Sequence, residues 1–239
     1  MHRLDTHRQP RQSRSQASLE RMLAAAETQM AARGNDEFAL TDVAKSGKVS
    51  IGSIYCRFPG KDALIQAVQQ RVSLRIQERQ RTLVTRIALD TDSLPAFVER
   101  LVDEFADCLR EFAPIMRPMM QRAARDPVVS KLGKDSHAMV LADVTKAVLR
   151  YRDSIPHPDP ERAIQSSFNM VYATVARALS LGSTEESADG GPWETLKQDL
   201  AHMFTSFLQT PPAGSPARAV PSTTDEVRAP KRRANTTRR

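Results

Sequence analysis

Aromatic residues, glycine and cysteine are all scarce in this chain of 239 residues. Aromatic residues make up 5% of the sequence, and only 9 residues are glycine. Because β-sandwiches and β-barrels need aromatic side chains and turn glycines, an all-β fold is not expected. The two cysteines, Cys56 and Cys108, are too few for a disulfide scaffold and are more typical of a protein from a reducing compartment.

Long apolar runs are missing as well. No stretch approaches the roughly 20 apolar residues of a membrane-spanning helix, and residues 1–14 lack the apolar segment of a signal peptide. The histidines are scattered without metal-ligand spacing, and His137 and His202 are expected on helix surfaces or at an interface. We therefore expect a soluble intracellular protein that contacts no membrane, holds no metal or cofactor and is not an enzyme.

Positive charge is concentrated at the two ends of the chain, whose formal net charge is +7 at pH 7. Residues 1–14 and 211–239 are rich in arginine, and the sequence between them is close to neutral. Both ends are poor in large apolar side chains, which predicts a disordered basic arm at 1–14 and a disordered basic tail at 211–239. Such ends suit a polyanionic partner such as nucleic acid, although they are also typical of solubilising tails.

Between the two ends, apolar residues recur at helical spacing and predict an all-α fold. One helix is expected to begin after an N-cap at Ser15 and to end at Gly34, and a long one to begin near Lys61. Further apolar stripes begin near Phe97, Met139, Phe168 and Trp193. Prolines such as Pro114 and Pro118 are expected at helix starts or in connections.

Two short helices separated by a tight turn are predicted within residues 41–57. Thr41 can cap the first helix, and Ser50 can cap the second. A helix, a turn of about three to four residues and another helix form the helix-turn-helix layout. The apolar residues that would hold this unit together are Val43, Val49, Ile54 and Phe58. Ala44 is small enough to let the two helices cross closely.

The outer face of the second short helix has small and polar residues, which would let the backbone lie deep in the major groove of DNA. Hydroxyl groups of Ser50, Ser53 and Tyr55 can donate to phosphates, and the guanidinium group of Arg57 can pair with one. Lys61 lies in the first turn of the next helix, where its ammonium group and the free N–H groups form a phosphate site. The pattern therefore predicts a DNA-binding surface.

Residues 41–68, TDVAKSGKVSIGSIYCRFPGKDALIQAV, resemble the DNA-binding domain of the TetR family of bacterial repressors, and the likeness extends over about 16–70. The matching positions are Leu23, Ala26, Ala31, Gly34, Val43, Ala44, Val49, Ser50, Gly52, Ile54, Tyr55, Phe58, Lys61 and Leu64. The resemblance implies a three-helix DNA-binding domain at 15–60 and a helical ligand-binding and dimerisation domain at 61–210. A helix from residue 61 would bridge the two.

The turn departs from the family pattern, in which a glycine usually precedes Val-Ser. Here Lys48 has that position and Gly47 comes one residue earlier. Either the turn is rearranged by one residue, or Lys48 takes a strained left-handed backbone and reaches a phosphate. The resemblance also implies phosphate contacts for Thr41, Tyr55 and Lys61. The positions that it places nearest the base edges are Ile51, Gly52 and Ser53.

The resemblance further implies an Ω-shaped homodimer in the bacterial cytoplasm. Its interface is expected on the last two long helices, at about 160–181 and 192–209, where small residues permit close crossing and larger ones supply apolar area. The expected interface residues are Ala163, Ser167, Ala173, Thr174, Ala178, Trp193, Leu196, Leu200, Met203 and Phe207.

A pocket for a small apolar ligand is expected in the C-terminal domain, since methionine adapts to varied apolar ligands. Its expected lining residues are Phe105, Cys108, Leu109, Phe112, Met116, Met119, Met120, Phe168, Met170 and Tyr172. The same residues are equally suited to filling a core, and Cys108 is more typical of a core residue than of a sensor thiol.

The functional expectation is a DNA-binding transcriptional regulator, most simply a repressor that a small molecule releases from a palindromic operator. A repressor and an activator share these sequence features. The alternative is a dimeric all-α ligand-binding or adaptor protein whose helix-turn-helix is vestigial. The combination of Tyr55, Arg57 and Lys61 favours the regulator, because a vestigial reader has no need of these side chains.

Overall fold

The computed structural model describes residues 8–182 and 192–211, and within these ranges the chain forms α-helices and no strand. The helices are α1 (Arg8–Arg33), α2 (Leu40–Ser46), α3 (Ile51–Tyr55), α4 (Lys61–Asp90), α5 (Leu94–Ala123), α6 (Pro127–Val148), α7 (Pro160–Ala178) and α8 (Trp193–Gln209). A 3-10 helix, Leu149–Ser154, connects α6 to α7. The predicted all-α fold is therefore confirmed.

The first helix begins earlier than the sequence analysis expected. Residues 8–14 already belong to α1, so Ser15 lies inside the helix and does not cap it. Pro10 is tolerated because it lies in the first turn, and the arginines and glutamines that follow favour a helix. Of the predicted disordered arm, residues 1–7 lie outside the described residues. The predicted helix end is confirmed, since Gly34 has a φ of 68° and its N–H bonds to Met30 O at 3.0 Å.

The helix-turn-helix unit has its own apolar centre against α1. Val43 of α2 and Ile54 of α3 are completely buried, and Met22, Ala26 and Met30 of α1 are also buried at 0% exposure. Ser50 caps α3 as predicted, because its side-chain oxygen accepts from the N–H of Ser53 at 3.0 Å.

The prediction that Thr41 caps α2 was wrong. That helix begins at Leu40, and the carboxylate of Asp42 accepts from the N–H of Ala39 at 3.5 Å. Thr41 therefore lies in the first turn and is exposed.

The long helix α4 joins the helix-turn-helix unit to the rest of the molecule. It spans 30 residues, or about 45 Å, and packs against α1, α5 and α6. The stripe predicted from the sequence is buried over its whole length: Leu64, Ile65, Val68, Val72, Ile76, Leu83 and Ile87. One continuous apolar core consequently runs from α1 to α8.

Two prolines lie inside α5 rather than at a helix boundary. The expectation for Pro114 and Pro118 was therefore wrong. Each lacks an N–H, which leaves the carbonyl groups of Arg110 and Pro114 without their helical partners. The helix continues because its apolar face is buried before, between and after the prolines, at Phe112, Ile115 and Met119 among others.

A buried lysine fastens α8 to α5. The Lys197 ammonium group donates to Asp103 at 2.5 Å, to Glu194 at 2.9 Å and to Asp107 at 3.3 Å. Burial by itself would lower the pKa of Lys197, but these carboxylates together outweigh it and raise the pKa, so the lysine stays charged. These ion pairs of Lys197 were not predicted from the sequence. Every described helix is too short or too polar to cross a bilayer.

The turn between α2 and α3 leaves little room for a side chain at position 47, where the residue is glycine. Its φ of −79° is open to any residue, but an added Cβ would lie 2.9 Å from Val43 O and 3.1 Å from Arg21 O. We expect Gly47→Ala to lower the free energy of unfolding by about 1–3 kcal/mol, because both neighbours are backbone atoms of helices that must move apart.

Urea denaturation of the purified variants measures this. The matched control is Gly133→Ala inside α6, where nothing lies within 4 Å of the new methyl group. The free energy of unfolding of this control should be unchanged or up to about 1 kcal/mol higher, because alanine has a higher helix propensity than glycine. Equal stability of the two variants would show that close packing at Gly47 has no energetic role.

Candidate nucleic-acid interface and ligand cavity

The short helix α3 is anchored on one side and open on the other. Ile54 is buried at 0% exposure, whereas Tyr55 is 58% exposed and Ile51 is 38% exposed. Gly52 is also exposed, and Ser53 is half-buried. The positions expected nearest to base edges therefore lie at the surface, on a helix that its neighbours hold in place.

Ser50 and Ser53 are bonded to each other. Their hydroxyl oxygens are 2.7 Å apart, and the Ser50 oxygen also accepts from the N–H of Ser53. One of the two hydroxyl protons is used in this contact, which leaves the other to donate to a partner outside the helix. The serines thus cap α3 and retain a single outward donor between them.

The unusual turn is not rearranged, because Lys48 itself takes the left-handed conformation. Its φ is 50°, while Gly47 keeps an ordinary right-handed backbone. A side chain at positive φ costs about 1 kcal/mol. Of the alternatives from the sequence, the strained lysine is the one observed, and the side chain of Lys48 is exposed.

The side chains of Lys61 and Arg57, which are also predicted phosphate contacts, are each held by a neighbouring residue. The ammonium group of Lys61 lies 4.8 Å from the centre of the Phe38 ring, which holds it at the start of α4. Arg57 donates through Nη2 to Ser15 O at 2.8 Å and to Ser15 Oγ at 2.6 Å. Part of the guanidinium group therefore fastens the end of α3 to α1.

A cavity of about 400 Å³ lies between α4, α5, α6 and Tyr172 of α7. Its lining residues are Gln69, Val72, Ser73, Ile76, Gln80, Leu109, Met116, Met119, Met120, Ala123, Val129, Ser130, Gly133, Lys134, Ser136, His137, Val140 and Tyr172. Of the residues predicted for a pocket, the structure brings together Leu109, Met116, Met119, Met120 and Tyr172.

The remaining predicted pocket residues are elsewhere. Phe105, Cys108, Phe112 and Phe168 are buried in the core, and Met170 is 42% exposed on α7. The rings of Phe105 and Phe168 pack edge to face with centroids 5.0 Å apart. Burial raises the pKa of the Cys108 thiol to about 11, so it stays protonated at neutral pH and behaves as a small core residue.

The polar residues on one wall of the cavity were not predicted from the sequence. Gln69, Ser73 and Gln80 are buried polar residues on the same face of α4. They interrupt its apolar stripe at helical spacing, which was the available signal. His137 was expected at the surface or an interface, but it lines the cavity, with its ring 4.5 Å from that of Tyr172.

An ion-pair cluster lies between this cavity and the helix-turn-helix unit. Arg122, near the end of α5, pairs with Asp36 at 3.0 Å, Asp62 at 2.7 Å and Asp126 at 3.1 Å. Asp36 precedes α2, Asp62 lies in the first turn of α4, and Asp126 caps α6 by accepting from the N–H of Val128 at 3.0 Å. We call these four residues the Arg122 cluster.

Two carboxylates of the Arg122 cluster, those of Asp36 and Asp126, are stabilised in their charged form. Burial alone would raise the pKa of Asp36, but hydrogen bonds from Arg125 and Arg122 outweigh it and the pKa is lowered. Burial likewise would raise the pKa of Asp126, and hydrogen bonds from Gln66, the Val129 N–H and Arg122 lower it. Asp36 and Asp126 therefore contribute this stability only while they are ionised.

The residues predicted for a dimer interface fall into three groups by exposure. Ala163, Ser167 and Leu200 are buried within the subunit and are out of reach of a partner. Thr174, Ala178, Trp193 and Leu196 are half-buried. Ala173, Met203 and Phe207 are exposed. Within residues 8–182 and 192–211, no group of three or more metal-ligating side chains is close enough to hold an ion.

Residues 22–68 match the family model described as bacterial regulatory proteins of the tetR family. These residues are similar to the N-terminal domain of that family. The resemblance seen in the sequence is thereby confirmed, and it extends over α1 to the first part of α4. Comparison with curated protein sequences gives no match.

Solved structures extend the likeness to the whole fold. A protein of Mesorhizobium loti assigned to the TetR-family transcriptional regulators is 18% identical, with a TM-score of 0.67 over 82% of this chain and 96% of its own. GusR of Salmonella enterica is 24% identical, with a TM-score of 0.59 over 81% and 96%. FadR of Bacillus halodurans, a fatty acid degradation regulator, is 13% identical, with a TM-score of 0.57 over 79% and 94%. The chain thus has the fold of a TetR-family transcriptional regulator.

Replacing the strained lysine should stabilise the helix-turn-helix unit. Glycine takes a φ of 50° without the Cβ penalty, so we expect Lys48→Gly to raise the free energy of unfolding by about 1 kcal/mol. Lys48→Ala keeps the Cβ and should stay within about 0.5 kcal/mol of the natural protein. Urea denaturation compares the two, and a glycine variant no more stable than the alanine variant would contradict the strain.

The Arg122 cluster predicts a loss of stability in acid. A carboxyl whose pKa is lowered by folding stabilises the protein above its ordinary pKa, and this stability is lost as the pH falls through the folded value. We expect Asp36→Asn to cost about 1–3 kcal/mol at pH 7 and progressively less below about pH 4.

Urea midpoints measured between pH 7 and pH 3 provide the test. The control is Glu78→Gln, because that carboxylate is 72% exposed in a surface pair with Arg81 and should have little effect at any pH. A cost of Asp36→Asn that does not change with pH would mean that the charge of Asp36 is not what stabilises the contact.

Proposed function

We propose that this chain is a sequence-specific DNA-binding regulator of transcription in the bacterial cytoplasm, and that it acts as a repressor. The observation that carries the proposal is the exposure of Tyr55 and Ile51 on a helix that Ile54 anchors to the core. Two large apolar side chains kept at the surface of a helix of 5 residues indicate a contact surface rather than a packing element. Their position within the TetR-family domain supports DNA as the partner.

Helix α3 would enter the major groove with its small residues towards the bases. Ile51 and Gly52 carry no hydrogen-bonding side-chain atom, and the hydroxyl of Ser53 is shared with Ser50. Direct reading of base edges would therefore be modest. Most specificity would come from contacts of Ile51 with thymine methyl groups and from the shape of the operator.

Phosphate contacts would surround this helix. Thr41, Lys48, Tyr55 and Lys61 supply hydroxyl or ammonium donors, and Arg57 adds the N–H groups that do not bond to Ser15. The backbone strain at Lys48 supports a functional role, since strain of this kind persists where a side chain must be placed in one direction. The stacking of Lys61 on Phe38 would hold its charge in a fixed position before DNA arrives.

A second copy of the chain would complete the DNA-binding unit. The exposed residues Ala173, Met203 and Phe207, together with Met170, provide apolar area on α7 and α8. These two helices pack against each other in the subunit, so four helices would meet across a two-fold axis. Such a dimer would present its two α3 helices to a palindromic operator at a spacing of about 34–36 Å.

The cavity would bind the small molecule that releases the operator. Met119, Met120 and Ala123 line it from the end of α5, and Arg122 lies among them in the sequence. A ligand that shifts this end of α5 would alter the contacts of Arg122 with Asp36 and Asp62, which belong to the DNA-binding side. Release then follows if the ligand binds the conformation with wrongly spaced α3 helices more tightly.

Selection from a randomised pool of duplexes, with the full chain as the binding protein, tests the proposal. We expect an inverted repeat to be enriched and to bind about a thousandfold more tightly than its scrambled form near physiological salt. Tyr55→Ala should lose about tenfold or more in affinity. Tyr55→Phe separates the hydroxyl contribution from that of the ring.

The matched control for this experiment is Leu74→Ala. Leu74 is 59% exposed on α4, away from the helix-turn-helix, and its loss should leave DNA affinity unchanged. Equal binding to selected and scrambled duplexes, with no effect of Tyr55→Ala, would reject the regulator. It would favour the adaptor protein with a vestigial helix-turn-helix.

A further inference from the structure

We propose that the cavity takes a mainly apolar molecule carrying a neutral hydrogen-bond donor, such as a hydroxyl group, and that the single proton of this group is donated to Gln69 Oε1 or, alternatively, to His137 Nδ1. The inference names the chemical class of the effector and rests on the proposed function only in treating the cavity as the effector site. It is carried by two buried polar atoms on the cavity wall.

The first of these atoms is Oε1 of Gln69. The residue is 7% exposed, and its Nε2 donates to Ser73 Oγ at 3.2 Å. Within the described parts of the chain, no donor lies within hydrogen-bond distance of Oε1, although the atom is buried. A buried amide oxygen without a partner is costly, and native proteins rarely keep one that nothing ever satisfies.

The second atom is Nδ1 of His137. The Nε2 of this ring lies 2.9 Å from Oδ1 of Asn169, and a carbonyl oxygen can only accept. Nε2 therefore carries the proton, and Nδ1 has a free lone pair. No described residue donates to Nδ1, which is buried as well. Asn169 and the neighbouring ring of Tyr172 hold the imidazole in this orientation.

The remainder of the wall is suited to an apolar body. Val72, Ile76, Leu109 and Met119 contribute aliphatic surface, and the volume of about 400 Å³ is typical of sites for small molecules. Methionine side chains adapt to the shape of a ligand.

The charges around the cavity argue against an ionised head group. Among the described lining residues, Lys134 is the charged one, and it is exposed. No lining carboxylate is available to neutralise a cation. A carboxylate placed beside Gln69 Oε1 and His137 Nδ1 would face two acceptors and lose its own hydration. A neutral donor can bond to either atom without this cost.

Three probes with the same alkyl chain test the proposal: 1-decanol, decyl methyl ether and decanoate. Calorimetric titration of the full chain gives each affinity directly, without DNA. We expect 1-decanol to bind, and the ether to bind at least about tenfold more weakly, because methylation removes the donor and leaves the buried acceptors unpaired. Decanoate should also bind more weakly than the alcohol.

Gln69→Met tests which atom reads the hydroxyl group. The substitution keeps the length of the side chain and removes Oε1, so the preference for the alcohol over the ether should fall about threefold or more. The Tm of the free variant should not decrease, because an unpaired buried atom has been removed. A fall in this preference in His137→Phe in place of Gln69→Met would assign the hydroxyl proton to Nδ1. The control is Gln70→Met, an identical change at an exposed neighbour on α4, which should preserve it.

Several results would overturn the proposal: binding of the ether or decanoate as tight as that of the alcohol, an unchanged preference in Gln69→Met and His137→Phe, or no binding of any probe. None of them bears on the operator selection, which needs no ligand. Conversely, selective binding of the alcohol with no specific DNA binding would retain the cavity assignment and reject the proposed regulator.

Discussion

The guanidinium group of Arg122 is the contact on which the arrangement of the molecule depends. It joins carboxylates from three separate segments, Asp36 before α2, Asp62 at the start of α4 and Asp126 at the start of α6. These segments meet where the helix-turn-helix unit adjoins the cavity. The Arg122 side chain is 13% exposed, and its partners Asp36 and Asp126 are buried, so removing any one of the three would leave a buried charge without one of its partners.

The Arg122 cluster also connects the helix-turn-helix unit to the wall of the cavity. The apolar core is continuous from α1 to α8, so no gap in the packing separates these two regions. The ion pairs of the Arg122 cluster, in contrast, are directional and connect particular segments. Asp126 links it further to α4 through Gln66, which donates to this carboxylate at 3.2 Å one helical turn before Gln69. A change in the cavity therefore has a short structural path to Asp36.

The sequence and the structure agree best where short-range rules apply. The Ser50 cap, the left-handed Gly34, the apolar stripe of α4 and the helix-turn-helix residues all follow from local spacing and backbone preference. A prediction failed where two neighbouring side chains could both cap the same helix end. Thr41 was expected to cap α2, but Asp42 bonds the free N–H of Ala39 and lets the helix begin one residue earlier than Thr41.

Features that depend on contacts between distant segments of the chain could not be predicted from the sequence. Burial on both sides keeps α5 helical through Pro114 and Pro118, although each proline breaks a backbone hydrogen bond. Five of the ten residues predicted for the pocket line the cavity, since periodicity shows that Phe105 and Met119 are buried but not which of them faces a void. The polar residues of the cavity interrupt an apolar stripe, but their unpaired atoms become evident only when α4 and α6 are brought together.

The sequence by itself determined the helical class, the helix-turn-helix and the exposed residues of α3. These depend on spacing, capping and side-chain size within a few turns of one helix. Only the tertiary structure decided that Lys48 bears the strain while Gly47 provides room, that Ala163 and Ser167 are buried in their own subunit, and that Arg122 gathers three aspartates. The physical reason is that such features depend on atoms distant in the chain, and their positions follow from how whole helices pack.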